Sequence, residues 1–326
     1  MSFKLHTQAV SSVVSDHLSN SAFYADVISG FSAREKMLPA KYFYDERGSK
    51  LFEQICETPE YYPTRTEVQI LRGRARQIAA LIGPQAHLVE LGSGPSTKVR
   101  ILLDAAPQLA SYVPVDISSA YLVRTAHAVA RDYPDLHVAP VSADFTAKFA
   151  LPPLIGKGRV FGFFPGSTIG NFSPAEARAL LRSVGATLGS GSGLLIGADL
   201  KKDREVLHAT YNDRAGITAA FNLNILQRIN RELGAEFDLA AFEHQAIYNE
   251  PEGRVEMHLA SLKAQAARVG VHTLEFSAGE TICTEYSYKF TPDEFKKLAA
   301  SAGYACRAAW TDPKSYFGVF YLTLDN

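Results

Sequence analysis

A glycine-rich turn is the first feature of this sequence that could carry chemistry. Gly92 and Gly94 directly follow the apolar run 87–91, and glycine lets the backbone approach a ligand where a Cβ atom would clash. Ligands of α/β proteins bind beyond the carboxyl ends of such strands. The dinucleotide fingerprint needs a third glycine at position 97, which is threonine here, so support for a diphosphate is weaker. By itself this turn fits an ordinary loop as well as a cofactor-binding site.

Acidic residues stand at the ends of the next two apolar runs. Asp116 ends the run 112–116, where a carboxylate can accept hydrogen bonds from both ribose hydroxyls. Asp144 and Phe145 follow the third run, where the acid can accept from an adenine amino group and the ring can cover the base. Each acid alone is an ordinary loop residue, but three such features at consecutive strand ends favour an adenosine-type ligand. Without a diphosphate site the pattern suits S-adenosylmethionine better than NAD, and Lys98 is a candidate partner for the methionyl carboxylate.

The elements that position these residues alternate between strand and helix from about residue 64 to residue 200. Apolar runs of strand length stand at residues 87–91, 112–116, 136–141, 160–164 and 194–198. Near-continuous apolar strands separated by helical periodicity predict an α/β fold, with a parallel sheet covered on both faces.

Helix starts are marked by a capping-box pattern, a hydroxyl residue followed three positions later by glutamate. The pattern occurs at residues 64–67, 173–176 and 291–294, and we predict a helix from each. Asp213 is a further candidate cap, for a helix that ends at Gly234.

Residues 201–290 interrupt the alternation with a helix and several strand-like segments, and the first 60 residues also lie outside the predicted sheet. We read these two regions as one second lobe, with an unrelated third domain as the alternative. The predicted division is a cofactor-binding unit at 64–200 plus 288–326 and a substrate-binding lobe at 1–63 plus 201–287.

The composition excludes several classes of protein. Among 326 residues, 33 are basic and 34 are acidic, so the net charge of -1 offers no attraction for a nucleic acid. The three cysteines form no CxxC pair and the nine histidines show no ligand spacing, so we expect no disulfide framework and no metal site. Apolar runs are strand-sized, whereas a membrane helix needs about 20 residues. We expect a cytoplasmic monomer that acts on a small molecule.

Six short blocks spread along the chain carry a more specific signal. They are residues 44–52 (YDERGSKLF), 59–65 (PEYYPTR), 91–94 (LGSG), 164–172 (FPGSTIGNF), 211–213 (YND) and 285–287 (EYS). In this order they resemble the signature blocks of the histidine-specific N-alpha-methyltransferases of ergothioneine biosynthesis. The resemblance implies a class I (Rossmann-like) methyltransferase sheet with a second, substrate-binding lobe. It also implies S-adenosylmethionine-dependent trimethylation of the α-amino group of L-histidine, which gives hercynine.

The resemblance also implies roles for individual residues. With Gly94 of the glycine turn, the cofactor-binding residues are Gly92, Lys98, Asp116, Asp144 and Phe145. Asn171 and Tyr211 would bind the substrate carboxylate, and Tyr61 also belongs to the substrate site. Glu285 and Ser287 would bind the imidazole. Tyr44 stands beside the reacting amine, and the other pocket-lining positions are Phe52, Gly166, Thr218 and Met257. Tyr286 departs from the family, where we expect an aliphatic residue, but alternation along a strand turns it away from the pocket.

The chemistry explains why such residues are suitable. Glu285 and Ser287, at i and i+2, share one face of a strand, so a carboxylate can accept one imidazole N–H while a hydroxyl donates to or accepts from the other nitrogen. Without the resemblance, this pair is more often an ordinary solvated strand face. An unperturbed phenol, with a pKa near 10, is a poor base at neutral pH, so Tyr44 is our candidate catalytic residue as an amine-orienting group.

Three competing functions remain open from the sequence. An α-N-methyltransferase of tryptophan is disfavoured by the Glu285/Ser287 pair, because indole has a single donor. A nucleic-acid base methyltransferase commonly has Asp/Asn-Pro-Pro-aromatic after the fourth strand, where this chain has Phe164, Pro165, Gly166 and Ser167. A non-catalytic S-adenosylmethionine sensor would bind the cofactor without transferring a methyl group.

Overall fold

The computed structural model describes residues 12–324, with side chains from residue 21 onward. The predicted units extend to residues 1–11 and 325–326, which lie outside the described residues. The helices are α1 (Ser12–Ser32), α2 (Glu46–Glu57), α3 (Tyr62–Ile82), α4 (Thr97–Ala105), α5 (Ser119–Asp132), α6 (Pro174–Leu188), α7 (Arg204–Tyr211), α8 (Ile217–Leu233) and α9 (Pro292–Ser301). The strands are β1 (Lys36–Met37), β2 (His87–Leu91), β3 (Ser111–Asp116), β4 (His137–Val138), β5 (Val141–Ser142), β6 (Val160–Phe164), β7 (Gly193–Asp199), β8 (Phe242–Asn249), β9 (Arg254–Ser261), β10 (Gln265–Val269), β11 (His272–Phe276), β12 (Thr281–Tyr288), β13 (Tyr304–Thr311) and β14 (Phe317–Leu324).

The larger sheet has the strand order β13-β14-β7-β6-β2-β3-β4, and β5 also pairs with β3. The strands from β7 to β4 are parallel, whereas β14 and β13 are antiparallel additions. Apolar side chains bury both faces, as the predicted α/β fold requires. The carboxyl ends of β2, β3 and β6 meet at one edge, so the residues that follow them lie close together.

The third predicted strand, residues 136–141, is not continuous. It forms two short pairings with β3, through β4 and β5, with Ala139 and Pro140 between them. Proline has no N–H to donate to a sheet, which accounts for the break.

A second, four-stranded sheet has the order β1-β12-β9-β8, with β1 parallel to β12. It packs with α8 around a core rich in phenylalanine. The hairpin β10–β11 and helix α7 belong to elements that the sequence analysis did not predict. The larger sheet uses strands from residues 87–199 and 304–324, and the smaller one uses strands from 36–37 and 242–288. The assignment of the smaller sheet to a substrate lobe stays a prediction.

Two of the three predicted capping boxes form. Ser173 and Thr291 accept from the backbone N–H groups of Glu176 and Glu294, and each glutamate side chain accepts from the backbone of its cap. The third prediction, at residues 64–67, is wrong. Helix α3 begins earlier, at Tyr62, because the next residue is a proline that suits the first turn.

Helix α8 follows its prediction more closely. Asp213 accepts from the N–H groups of Ile217 and Thr218 at 2.8 Å each, so it caps the helix although Gly216 is its boundary residue. The helix ends at Gly234, which has the expected left-handed conformation.

Gly48 illustrates a glycine required by packing. A Cβ at this position would lie 1.7 Å from the carbonyl oxygen of Phe43. We expect Gly48→Ala to lower the free energy of unfolding by about 2–3 kcal/mol, because the backbone must move. The matched control is Gly73→Ala in α3, where nothing lies within 4 Å of the added Cβ, and which should gain about 0.5–1 kcal/mol from helix propensity. Denaturant unfolding of both variants measures the difference, and equal stabilities would contradict the packing argument.

Candidate active site

The glycine turn after β2 and the carboxylate that ends β3 lie side by side. Gly92 and Gly94 have positive φ angles of 71° and 45°. The Asp116 carboxylate accepts from the N–H groups of Gly94 at 3.3 Å and Ser118 at 2.9 Å, and burial raises the pKa of this acid. A Cβ on Gly92 would lie 3.6 Å from Phe145 Cε1, so the absent side chain leaves room between the turn and the ring. A glycine-rich backbone turn beside a carboxylate suits the predicted nucleoside.

Asp144 lies at the same edge. Its carboxylate accepts from the Thr146 N–H at 2.9 Å and from Lys41 Nζ at 3.3 Å. Burial raises the pKa of Asp144, but these hydrogen bonds and the lysine charge outweigh burial and hold the pKa below its usual value. Phe145 packs edge-on against Phe164, with ring centroids 5.4 Å apart. Because Lys41 precedes α2, the N-terminal segment reaches the predicted cofactor edge.

Lys98 and Gly166 are joined by a buried glutamate. Glu67 has no exposed surface, and its carboxylate lies 2.6 Å from Lys98 Nζ. The same carboxylate accepts from the Gly166 N–H at 2.9 and 3.0 Å. A Cβ on Gly166 would lie 3.7 Å from Lys98 Nζ, so the lysine reaches the loop that follows β6. Glu67, assigned from sequence to a helix cap, instead connects a predicted cofactor residue to a predicted pocket residue.

Aromatic rings form one wall of the predicted pocket. Tyr44 lies 5.8 Å from Phe52 between ring centroids, and Phe52 lies 6.1 Å from Tyr61. Phe221 of α8 completes the group, 5.8 Å from Tyr44 and 6.0 Å from Phe52. Burial is the main cause that raises the pKa of both phenols well above the usual value; the nearby Glu285 carboxyl comes next for Tyr44, and the Cys56 thiol comes next for Tyr61. Both tyrosines are therefore protonated at neutral pH, so Tyr44 can orient an amine but cannot act as its base.

Glu285 and Ser287 face the pocket from β12. Glu285 pairs with Met257 on the neighbouring strand β9, just after an irregularity in the register that separates Cys283 from Glu285. Burial raises the pKa of Glu285 to about 7, and the nearby Lys289 charge lowers it by a smaller amount. Tyr286 lies under the guanidinium of Arg254, at 3.8 Å from its ring centroid, so its ring is engaged outside the predicted imidazole pair.

A buried lysine holds the hydroxyl groups at this end of the pocket. Tyr211 Oη donates to Ser287 Oγ at 2.7 Å, and Lys289 Nζ donates to Tyr211 Oη at 2.9 Å and to Ser287 Oγ at 2.8 Å. Lys289 is paired with Asp199 at 2.8 Å, and both side chains are only 1% exposed. Burial lowers the pKa of Lys289, but Asp199 and Tyr211 outweigh it and keep the lysine charged.

Asn171 and Thr218 approach the same region from other elements. Asn171 ends a 3-10 turn after β6 that packs against β12, since a Cβ on Gly170 would lie 2.7 Å from the Tyr288 carbonyl oxygen. Thr218 is buried in the first turn of α8, and its backbone N–H donates to the Asp213 carboxylate at 2.8 Å. The structure thus brings Tyr44, Tyr61, Tyr211, Glu285 and Ser287 together, with Asn171 and Thr218 on neighbouring elements, while the role of each residue stays a prediction.

Comparisons with known proteins identify the family of this chain. A protein-family model described as "Histidine-specific methyltransferase, SAM-dependent" matches residues 23–324. The chain is 46% identical over 303 residues to the histidine N-alpha-methyltransferase of Mycolicibacterium smegmatis, covering 91% of this chain and 94% of that protein. It is 42% identical over 315 residues to the protein of that name from Mycobacterium tuberculosis, covering 94% and 97%. The chain belongs to the histidine-specific methyltransferase family.

A more distant relative is ergothioneine biosynthesis protein 1 of Neurospora crassa, 31% identical over 290 residues, which cover 86% of this chain and 32% of that protein. Membership of the histidine-specific methyltransferase family confirms the predicted fold class, enzyme class and cofactor, S-adenosylmethionine. The tryptophan alternative is not favoured. The predicted small-molecule substrate is consistent with the family.

Four charged residues at this histidine-specific methyltransferase site escaped the sequence analysis. Lys289 follows Ser287 by two positions, so strand alternation could have identified it. Asp199 ends β7, where ligand-facing residues are expected. Glu67 and Lys41 carried no comparable signal, because their partners are distant in the chain.

Two searches of the described part of the chain concern other kinds of site. Within it, no three His, Cys, Asp or Glu side chains are grouped as metal ligands. None of the helices in that part is long and apolar enough to cross a membrane.

The raised pKa of Glu285, about 7, predicts a pH dependence for histidine binding. Only the ionised carboxylate accepts an imidazole N–H well, and the ionised form is lost as the pH falls through 7. We therefore expect the histidine KM to rise below about pH 7 in steady-state assays, with a contribution from imidazole protonation near pH 6.5. Glu285→Gln, which keeps an acceptor oxygen but does not titrate, should show a weaker rise. An identical pH profile in both proteins would contradict this assignment.

Proposed function

We propose that the pocket between the cofactor edge and β12 binds L-histidine and aligns its α-amino nitrogen for three successive methyl transfers, giving hercynine. The observation that carries this proposal is the position of the Glu285 carboxyl beside the buried Tyr44 and Tyr61 phenols, with Ser287 two positions further along the same strand. A carboxylate and a hydroxyl on one strand face complement an imidazole, and no amino acid with a wholly apolar side chain would satisfy them.

The two ends of histidine would be held by different elements. Asn171 and Tyr61 offer neutral donors for the carboxylate, and Glu285 offers an acceptor for an imidazole N–H. The Tyr211 proton goes to Ser287 Oγ, so the predicted role of Tyr211 as a carboxylate donor is not part of this proposal. Holding both ends fixes the amino group between them. Orientation of this kind contributes up to about 7–11 kcal/mol in well-aligned reactions.

S-adenosylmethionine, when bound along Gly92, Gly94, Asp116, Asp144 and Phe145, supplies an electrophilic sulfonium methyl group. The amine must be neutral to attack, although the pKa of an unperturbed α-amino group is about 8. Burial in the aromatic pocket, near a positive charge, favours the neutral form. The protonated Tyr44 phenol can accept a hydrogen bond from the amine and direct its lone pair.

We further propose that the product enters ergothioneine biosynthesis, which the name of the fungal relative supports. A monomer in the cytoplasm is our proposal for the working state. Support for the compartment comes from three scattered cysteines without CxxC spacing. Light scattering during gel filtration tests the monomer, and a constant mass above that of one chain would contradict it.

The decisive experiment is mass spectrometry of L-histidine incubated with the protein and S-adenosylmethionine. We expect three successive additions of one CH2, all located by fragmentation on the α-nitrogen. L-tryptophan is the matched control substrate and should remain unmodified. Methyl groups on the imidazole ring, or cofactor binding without transfer to histidine, would contradict the proposal.

A further inference from the structure

Lys289 uses every proton of its ammonium group inside the protein. The three acceptors are Asp199 Oδ2 at 2.8 Å, Tyr211 Oη at 2.9 Å and Ser287 Oγ at 2.8 Å. The lysine is 2% exposed, so water cannot replace these partners. It therefore has no proton left for a ligand, and any influence on the substrate passes through the two hydroxyl groups.

The hydrogen bonds of Ser287 determine what it can offer. A serine hydroxyl has one proton and two acceptor positions. Its acceptor positions are occupied by the Tyr211 hydroxyl at 2.7 Å and by Lys289 at 2.8 Å. The phenol is the more acidic of the two hydroxyls, which favours this direction of donation. The serine proton is the one that remains free.

We propose that Lys289 is a specificity-determining positioning residue that makes Ser287 a hydrogen-bond donor to the substrate side chain. The inference rests on the proposed function and deepens it. Glu285 accepts one proton and Ser287 donates one, so the pocket selects a ring with one N–H and one unprotonated nitrogen. That is the neutral imidazole, in the orientation that points its N–H at Glu285.

The chain offers a matched control in Lys202. This lysine is also buried and paired with Asp199, at 2.6 Å from Oδ1, but its other contacts are Tyr62 Oη and the Leu200 carbonyl oxygen. It contacts neither Tyr211 nor Ser287 in the hydrogen bonds of the described chain. Lys202→Met and Lys289→Met therefore remove equivalent charges from Asp199, and only the second changes the hydroxyl pair.

The test measures steady-state kinetics with L-histidine and, by calorimetry, the Kd values of histidine and of 3-(2-thienyl)alanine, a ring analogue without nitrogen. We expect Lys289→Met to raise the histidine KM about 10- to 100-fold, since a buried hydrogen-bond arrangement is lost. The Kd of S-adenosylmethionine should change by less than about threefold. The Kd of 3-(2-thienyl)alanine divided by the Kd of histidine measures the preference for histidine. This ratio should fall about 10-fold in Lys289→Met and stay near the wild-type value in Lys202→Met.

A second variant keeps the test decisive if Lys289→Met folds poorly. Compared with Ser287→Ala alone, the double variant Ser287→Ala/Lys289→Arg should lose little further histidine affinity, because the Ser287 hydroxyl on which Lys289 acts is already absent. Two results would overturn the inference while leaving histidine methylation by the wild-type protein intact. One is an equal change of the Kd ratio in Lys289→Met and Lys202→Met. The other is a loss of histidine affinity in Ser287→Ala/Lys289→Arg that equals the sum of the losses in the two single variants. Failure of the wild-type protein to methylate histidine would instead overturn the proposed function.

Discussion

Glu285→Ala is expected to raise the histidine KM by about 100-fold or more, while the Kd of S-adenosylmethionine changes little. The substitution leaves an imidazole N–H without an acceptor in an enclosed site, and sites that read a polar group discriminate strongly when that group is unpaired. Cofactor binding should be insensitive because its predicted residues lie at the ends of β2, β3 and β5 and on α4, whereas Glu285 lies on β12 of the other sheet. Steady-state kinetics and calorimetric titration of the cofactor measure the two effects separately.

Tyr286→Leu is the matched control for this experiment. Tyr286 neighbours Glu285 on β12, but its ring stacks on Arg254. We expect a histidine KM within about threefold of the wild-type value, with a small loss of stability from the lost cation–π contact. Unchanged histidine kinetics in Glu285→Ala, or equal changes in the two variants, would remove Glu285 from the substrate site.

Glu67→Leu is expected to lower the free energy of unfolding by about 3–5 kcal/mol, because breaking a buried ion pair leaves an uncompensated charge. Here the charge is that of Lys98, and the Gly166 N–H also loses its acceptor. The variant should also raise the KM for S-adenosylmethionine, since Lys98 loses the group that positions it. Denaturant unfolding and cofactor kinetics measure the two effects.

Glu294→Ala provides the comparison, because this glutamate belongs to a capping box at the surface and should cost about 1 kcal/mol with no change in cofactor KM. Glu67→Gln, which keeps an acceptor for Gly166 but loses the charge, should fall between the two in stability. A Glu67→Leu variant as stable as Glu294→Ala would show that the buried pair contributes little.

The three capping-box patterns explain how far the fold could be predicted. Ser173 and Thr291 cap helices because each is followed by a proline and an exposed glutamate. The segment 64–67 also has a hydroxyl residue followed three positions later by glutamate, but it lacks the proline, and its glutamate is buried and partnered across the molecule. Local sequence records the pattern and not the burial, so only the tertiary structure separates the two cases.

The candidate site also has a part that could be predicted from the sequence and a part that could not. Its glycine turn and the acids at strand ends could be predicted because a parallel sheet brings consecutive carboxyl ends to one edge. Glu285 and Ser287 needed the resemblance, because a Glu/Ser pair on a strand is otherwise ordinary in its chemistry. Glu67 could not be predicted, since its partners Lys98 and Gly166 are far from it in the chain and unlike each other in type.

The parallel pairing of β1 with β12 delays one step of folding during synthesis, because the two strands stand at opposite ends of the chain. Lys36 lies opposite Ile282, and Leu38 donates to the Cys283 carbonyl oxygen at 2.9 Å. Strand β1 can therefore pair with β12 only after almost the whole chain has been synthesised. Contacts between residues so distant in sequence form slowly. Until then apolar residues of this part of the chain such as Leu38, which is buried in the folded protein, stay exposed, and exposed apolar surface favours aggregation.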